Sequence, residues 1–207
     1  MEGKRVVIFD FDGVIVDSFE AAYKINAAKF KKLTPDDYRS WFKNNVGDIL
    51  KKNLSSADIN DLFNDYKKLI KEMPIVPGII DVLKKLAEKY TLAIVSSTDS
   101  SAIQNVLKNY SLTNYFADIL GYDVESSKVK KIKMIENKYG VLQNNCLFIT
   151  DTLGDIKEGN EAGVKTIGVT WGYHDRGTLE NGNPIALIDT PDELEICINQ
   201  QFSNVTM

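Results

Sequence analysis

The stretch "KRVVIFDFDGVIVDS", residues 4–18, sets two carboxylates, Asp10 and Asp12, inside an almost wholly apolar run. A run such as "VVIFD" (6–10) has the pattern of a short strand covered on both faces. A carboxylate at the end of such a strand is costly unless it is neutralised or paired. The sequence therefore raises the question of what Asp10 and Asp12 serve.

Three further runs share the pattern: "LAIVS" (92–96), "CLFIT" (146–150) and "TIGVT" (166–170). "ADILGYD" (117–123) is a weaker strand, and "IALID" (185–189) reads as a late edge strand. Segments of helical period lie between them, as in 101–110 and 128–139. In "PGIIDVLKKLAEKY", Ile79, Val82, Leu83, Leu86 and Ala87 form one apolar stripe. Alternating strands and helices imply right-handed crossovers and an α/β fold in three layers, with a mostly parallel sheet between helices.

Residues 19–76 break this rhythm, with no convincing strand. Their pattern predicts helices over 18–32, 35–52 and 56–73, with Thr34 and Pro35 at one helix start and "SSAD" (55–58) at another. The expected division is a core of 1–17 and 77–207 and an all-helical insertion of 18–76. The polar tail from Asn199 is expected to fray.

Composition limits the partners. The 207 residues are 43% hydrophobic with a net charge of −4, both signs being mixed along the chain. That gives no reason to expect a nucleic-acid or anionic-membrane surface. No leader and no membrane-length apolar run is seen, so a cytoplasmic protein is expected. Cys146 and Cys197 form no C-x-x-C pair, and His174 is the single histidine, so the common zinc sets cannot be assembled. Cys146 reads as a buried apolar residue in a reducing compartment.

Ligands of parallel sheets bind beyond the carboxyl ends of the strands. Asp10 and Asp12, Ser96, and Asp151 with Asp155 all fall there. Singly, each has a plain reading: turn chemistry for Asp12-Gly13, a loop hydroxyl for Ser96, and a helix cap for Asp155 with Glu158 completing a capping box. Together they place several carboxylates at one edge, where each close pair repels by about 4 kcal/mol at intermediate dielectric. Such a cluster calls for a cation, and an all-oxygen donor set suits Mg2+.

"DFDGVIVDS" resembles the signature D-x-D-G-x-x-x-D-S of the haloacid dehalogenase superfamily. "VSST", a lysine-led helix and "DTLGD" follow in that family's order. "IKEGNEAGVKTIGVTWGY" is similar to its phosphoglycolate-phosphatase-like branch. Thr150 stands where a glycine is often found. The resemblance implies a Rossmann-like core, a helical cap formed by the insertion, and a Mg2+-dependent phosphatase acting on small phosphorylated metabolites as a monomer or homodimer. It implies Asp10 as nucleophile and Asp12 as general acid and base. Asp10, the Asp12 backbone carbonyl, Asp151 and Asp155 are implied around the metal, and Ser96, Ser97 and Lys128 around the phosphoryl group, with Lys131 in reserve. Tyr38, Arg39, Trp41, Lys43 and Asn44 in the insertion, and His174 and Arg176 after the last inner strand, are candidates for substrate contact. A phosphomutase of the same superfamily is the nearest alternative. A receiver-like phosphoacceptor fits less well, because its acidic residues would come in a different order.

Overall fold

The computed structural model describes residues 4–203. Its sheet has six parallel strands in the order β3-β2-β1-β4-β5-β6. They are β1 (Val6–Phe9), β2 (Thr91–Val95), β3 (Phe116–Leu120), β4 (Cys146–Thr150), β5 (Lys165–Val169) and β6 (Ala186–Ile188). The expected three-layer α/β fold is present, with β3 and β6 at the two edges. Strand order reverses at β1, between β2 and β4, which is where such sheets open a crevice for ligands.

Alternation along the strands makes two cores. Val7 and Phe9 join Ile94, Ile149 and Ile167 on one face, beneath α5 (Ile79–Ala87), α6 (Ser100–Asn109) and α10 (Pro191–Ser203). Val6 and Ile8 join Ala93, Val95, Cys146 and Phe148 on the other, covered by Ile132 and Ile135 of α7 (Lys128–Tyr139) and Ala162 of α8 (Leu153–Ala162). A short α9 (Arg176–Glu180) precedes β6. Both cysteines are buried and free. No helix among the described residues is long and apolar enough to cross a membrane.

Between β1 and α5 lie α1 (Phe19–Lys29), α2 (Pro35–Trp41), α3 (Val46–Asn53) and α4 (Ser56–Leu69). Thr34 caps α2 in a capping box with Asp37, and Ser55 caps α4. The single helix expected over 35–52 is instead two helices. Asn45 accepts from the Gly47 N–H and starts α3 afresh, while the Phe42 carbonyl accepts from Gly154 N–H at 2.8 Å and so leaves its helix for α8. The chain enters and leaves the insertion side by side. Asp17 N–H donates to Pro74 O and Val76 N–H to Ile15 O, both at 2.9 Å, closing an antiparallel clip at Val16 and Ile75.

The fraying expected from Asn199 does not occur within the described residues. Phe202 is fully buried and Tyr90 Oη donates to Asn199 Oδ1 at 2.7 Å, so α10 stays docked through Ser203. The rest of that tail lies outside the described residues.

Candidate active site

Asp10 follows β1 directly, and its own N–H donates to Ile149 O on β4 at 2.8 Å, which holds the residue in the sheet. Its Oδ1 accepts from Phe11 N–H at 2.7 Å, and its Oδ2 lies 2.8 Å from Lys128 Nζ. Lys128 opens α7, where Ser127 is the N-cap, and is 3% exposed. The same Nζ is 2.6 Å from Asp155 Oδ2, which also accepts from Thr150 Oγ1 at 2.8 Å. One ammonium thus bridges the carboxylate that follows β1 and one in the first turn of α8.

The charges follow from this packing. Burial pushes the Asp10 carboxyl well above its ordinary range; Lys128 offsets part of that, and Asp155 and Asp151 add to it. Burial also works against the Lys128 ammonium, yet Asp10 and Asp155 hold it above the usual lysine value. Burial likewise opposes Asp155, but Lys128 and its hydrogen bonds keep it ionised below the usual range. Lys128 fits the place for a bound anion's partner. Lys131 is turned beneath it, fully buried, donating to the Ser96 carbonyl at 2.5 Å, with burial and the neighbouring Lys128 charge lowering it to about 8.

Asp151 ends β4 and is fully buried. Its Oδ2 accepts from Tyr173 N–H at 2.7 Å. Glycine is required on both sides of it: a Cβ on Gly13, whose φ is +71°, would stand 2.0 Å from Asp151 Oδ2, and one on Gly172 would stand 2.3 Å from it. Its Oδ1 is buried with no hydrogen-bond partner. Burial raises this carboxyl to about 7, against the pull of the Tyr173 N–H. Among the described residues no three histidine, cysteine or acidic side chains converge as a ready-made metal cage. A hard cation that keeps several waters needs only one or two carboxylates, and an orphaned buried oxygen near Asp10 fits that demand.

Asp12 is half-buried at the turn after β1 and is held from two directions. Thr98 Oγ1, from the loop after β2, donates to its Oδ2 at 2.7 Å. Tyr66 Oη, from α4 of the insertion, donates to its Oδ1. Ser96 is buried, and its Oγ accepts from Thr98 N–H at 3.0 Å, tying the β2 loop together.

A cavity of about 1050 Å3, counting its open mouth, lies between these strand ends and the insertion. Asp10, Asp12, Ser96, Ser97, Lys128 and Asp155 all line it, whereas Asp151 is not part of its wall. Tyr38, Trp41 and Asn44 line it too. Arg39, Lys43, His174 and Arg176 do not. Arg39 lies 4.0 Å over the Phe19 ring and donates to Tyr173 O, and Arg176 pairs with Asp189 at 2.7 Å. The Lys43 carbonyl accepts from Lys157 Nζ at 2.9 Å. His174 Nδ1 accepts from Leu153 N–H and its Nε2 faces Arg39 O, each at 2.9 Å. Nor is Asp155 a helix cap with Glu158 closing a box. Thr152 caps α8, and Glu158 Oε1 accepts from Lys128 N–H and from Asn45 Nδ2.

Tyr66, Thr98 and Tyr173 went unmarked in the sequence. Tyr173 comes from the core yet packs among the insertion's rings, 4.8 Å from Phe42 and 5.1 Å from Phe19. Only its place beside Gly172, in the loop that follows β5, could have signalled it.

The strand order reverses beside a D-x-D turn, and there a lysine bridges the carboxylate after β1 and one in the first turn of α8. The haloacid dehalogenase-like hydrolase pattern matches residues 7–169, and the chain belongs to that family. It is similar to a phosphoglycolate phosphatase of Synechococcus elongatus, 24% identical over 95% of this chain and 98% of the relative. A phosphoglycolate phosphatase of Aquifex aeolicus is 29% identical over 82% and 86% of the two chains. A solved haloacid dehalogenase-like family hydrolase from Streptococcus pneumoniae superimposes with a TM-score of 0.78 at 25% identity, covering 96% of this chain and 100% of the other. Within the family, the chain is an enzyme of the phosphatase kind.

Proposed function

We propose that the protein is a Mg2+-dependent phosphatase of small phosphorylated metabolites, working through an aspartyl-phosphate at Asp10, with residues 18–76 as a cap over a core of 1–17 and 77–207. The observation that carries this reading is the Lys128 ammonium set between Asp10 and Asp155 at the floor of the cavity. A buried lysine there fits the equatorial oxygens of a phosphoryl group as well as it fits carboxylates.

In the first step an Asp10 carboxylate oxygen attacks phosphorus and the ester P–O bond breaks. The departing alkoxide takes its proton from Asp12, which Thr98 and Tyr66 hold at the mouth of the site. In the second step Asp12 accepts a proton from water as that water attacks phosphorus, and the P–O bond to Asp10 breaks. The products are the alcohol and phosphate. Ser96 and Ser97 offer hydroxyl and backbone donors beside Lys128 for the phosphoryl oxygens. Asp10 and Asp151, with the Asp12 backbone carbonyl and support from Asp155, would hold Mg2+, which supplies charge neutralisation on the transferring group when bound.

The test is phosphate release from a panel of phosphomonoesters with Mg2+ and with EDTA, for the wild type and Asp10→Asn. Metal-dependent release that vanishes in a folded Asp10→Asn protein is expected. Near-normal rates in that variant would overturn the nucleophile assignment, and isomerisation of a sugar phosphate without release would replace hydrolysis by a mutase reaction.

A further inference from the structure

Much of the cavity wall supplied by the insertion is apolar. Ile25, Trp41, Val46, Leu50, Leu62 and Phe63, from all four helices α1 to α4, line it. The insertion also brings neutral polar groups to this space, but Asn26 Nδ2 donates to Ala22 O and Tyr38 Oη, Asn45 Nδ2 donates to Glu158, and Tyr66 Oη donates to Asp12.

The ionic groups lining the same space are unbalanced. Beyond the Asp10 and Asp155 pair that takes the phosphoryl group and its metal, Asp12, Asp99 and Glu158 face it with carboxylates, whereas its ammonium groups among the described residues are those of Lys67 and Lys128. Both of these are engaged. Lys128 holds Asp10 and Asp155, and Lys67 pairs with Asp99 at 3.1 Å. The cations nearest in the insertion are turned elsewhere, Arg39 onto Phe19 and Tyr173, and Lys43 off the cavity wall. A phosphoryl group entering at Lys128 meets a cation. A second anion on its leaving group would meet mainly apolar side chains and would reach Lys67 only in competition with Asp99, and each such mismatch weakens binding.

We infer that the preferred substrates are phosphate esters of uncharged, largely apolar alcohols, aryl or alkyl, and not of carboxylate-bearing alcohols such as glycolate. This inference rests on the phosphatase reading above. It separates this chain's substrate from the one in its relatives' names while leaving the chemistry at Asp10 the same. A pocket walled largely by apolar side chains with a few polar groups also matches the usual build of a site for such a body.

The experiment compares kcat/KM, with Mg2+, for matched pairs: phenyl phosphate against 4-carboxyphenyl phosphate, and butyl phosphate against phosphoglycolate. The uncharged member of each pair is expected to be better by about tenfold or more, the difference lying mainly in KM. The Ile25→Lys variant, which sets a cation into the apolar wall, is expected to narrow both ratios by improving the carboxylate-bearing esters. Equal or better turnover of the carboxylate-bearing esters by wild type would overturn the inference while leaving the phosphatase reading in place. A folded wild type that releases phosphate from none of the esters would sink the phosphatase reading and this inference together.

Discussion

Tyr66 Oη donates a hydrogen bond to Asp12 Oδ1, joining a helix of the insertion to the turn that follows the first strand. The two residues are 54 positions apart, and Asp12 is held at its other oxygen by Thr98 of the core. The carboxylate assigned to proton transfer thus has its orientation set jointly by both parts of the chain. Burial, and then the Asp12 charge, raise the Tyr66 phenol well above its ordinary value, so it stays a donor at any working pH.

Removing that donor should show in kinetics more than in stability. Tyr66→Phe is expected to lower kcat for alkyl phosphates by about 10- to 100-fold, within the usual reach of general acid catalysis. Aryl phosphates, whose leaving groups need less protonation, should lose much less. A packing role alone would affect both ester types alike, so equal losses would dismiss the positioning role.

Lys128 keeps two buried carboxylates from facing each other unpaired. Lys128→Met should therefore cost roughly 3–5 kcal/mol of folding stability, the usual result of removing one partner from a buried ionic cluster. Urea denaturation at neutral pH checks this, and turnover should be lost as well. A variant as stable as wild type would show that Asp10 and Asp155 do not depend on the ammonium.

His174 is locked in its neutral form. The Leu153 N–H occupies Nδ1, and the proton on Nε2 is given to the Arg39 carbonyl, so a second ring proton would displace the Leu153 bond. Burial is the main cause holding its pKa below the ordinary 6.5, and the nearby Lys43 charge assists, against the Arg39 bond, Asp155 and Asp175. The unfolded chain binds a proton that the folded ring refuses. Stability from this residue is thus complete above about pH 6.5 and is lost as pH falls toward the depressed folded value. Melting temperatures between pH 7.5 and 5 should decline more steeply for wild type than for His174→Gln.

Gly154 lies within α8, where alanine is ordinarily favoured over glycine by about 0.5–1 kcal/mol. Here a Cβ would stand 2.6 Å from the Asn44 carbonyl and 2.8 Å from that of Phe42, both backbone atoms. Gly154→Ala should therefore destabilise the protein and pry the 42–45 turn off α8. Hydrogen exchange at residues 42–46 should accelerate in the variant, and unchanged protection there would refute the contact.

Much of the fold was legible because four of the strands are unbroken apolar runs that end abruptly in polar residues. Asp10 after "VVIF" and Asp151 after "CLFIT" stand out for that reason, and the sheet brings them together across the β1–β4 pairing. Lys128 could be singled out at the start of its helix, but its two carboxylate partners belong to other elements. The split between α2 and α3 was hidden, because it depends on a carbonyl of Phe42 accepting from Gly154, a contact with a distant part of the chain. Tyr66 was hidden too, since an aromatic on an amphipathic helix carries no local sign that its hydroxyl meets an acid. The docking of Phe202 shows the reverse case, where a polar tail conceals one well-packed ring.

The antiparallel clip at Val16 and Ile75 has a consequence for how such a chain can diversify. Because the helical segment departs and returns through neighbouring hydrogen bonds, it behaves as a cassette spliced into one loop. Its length and helix count can change without altering the strand pairing on either side of β1. Transplanting the cassette of another family member between Asp17 and Pro74 should therefore graft a foreign pocket wall onto this sheet, exchanging selectivity above Asp10, Asp155 and Lys128, while Asp12 keeps its second hold only where the graft brings a hydroxyl to the place of Tyr66.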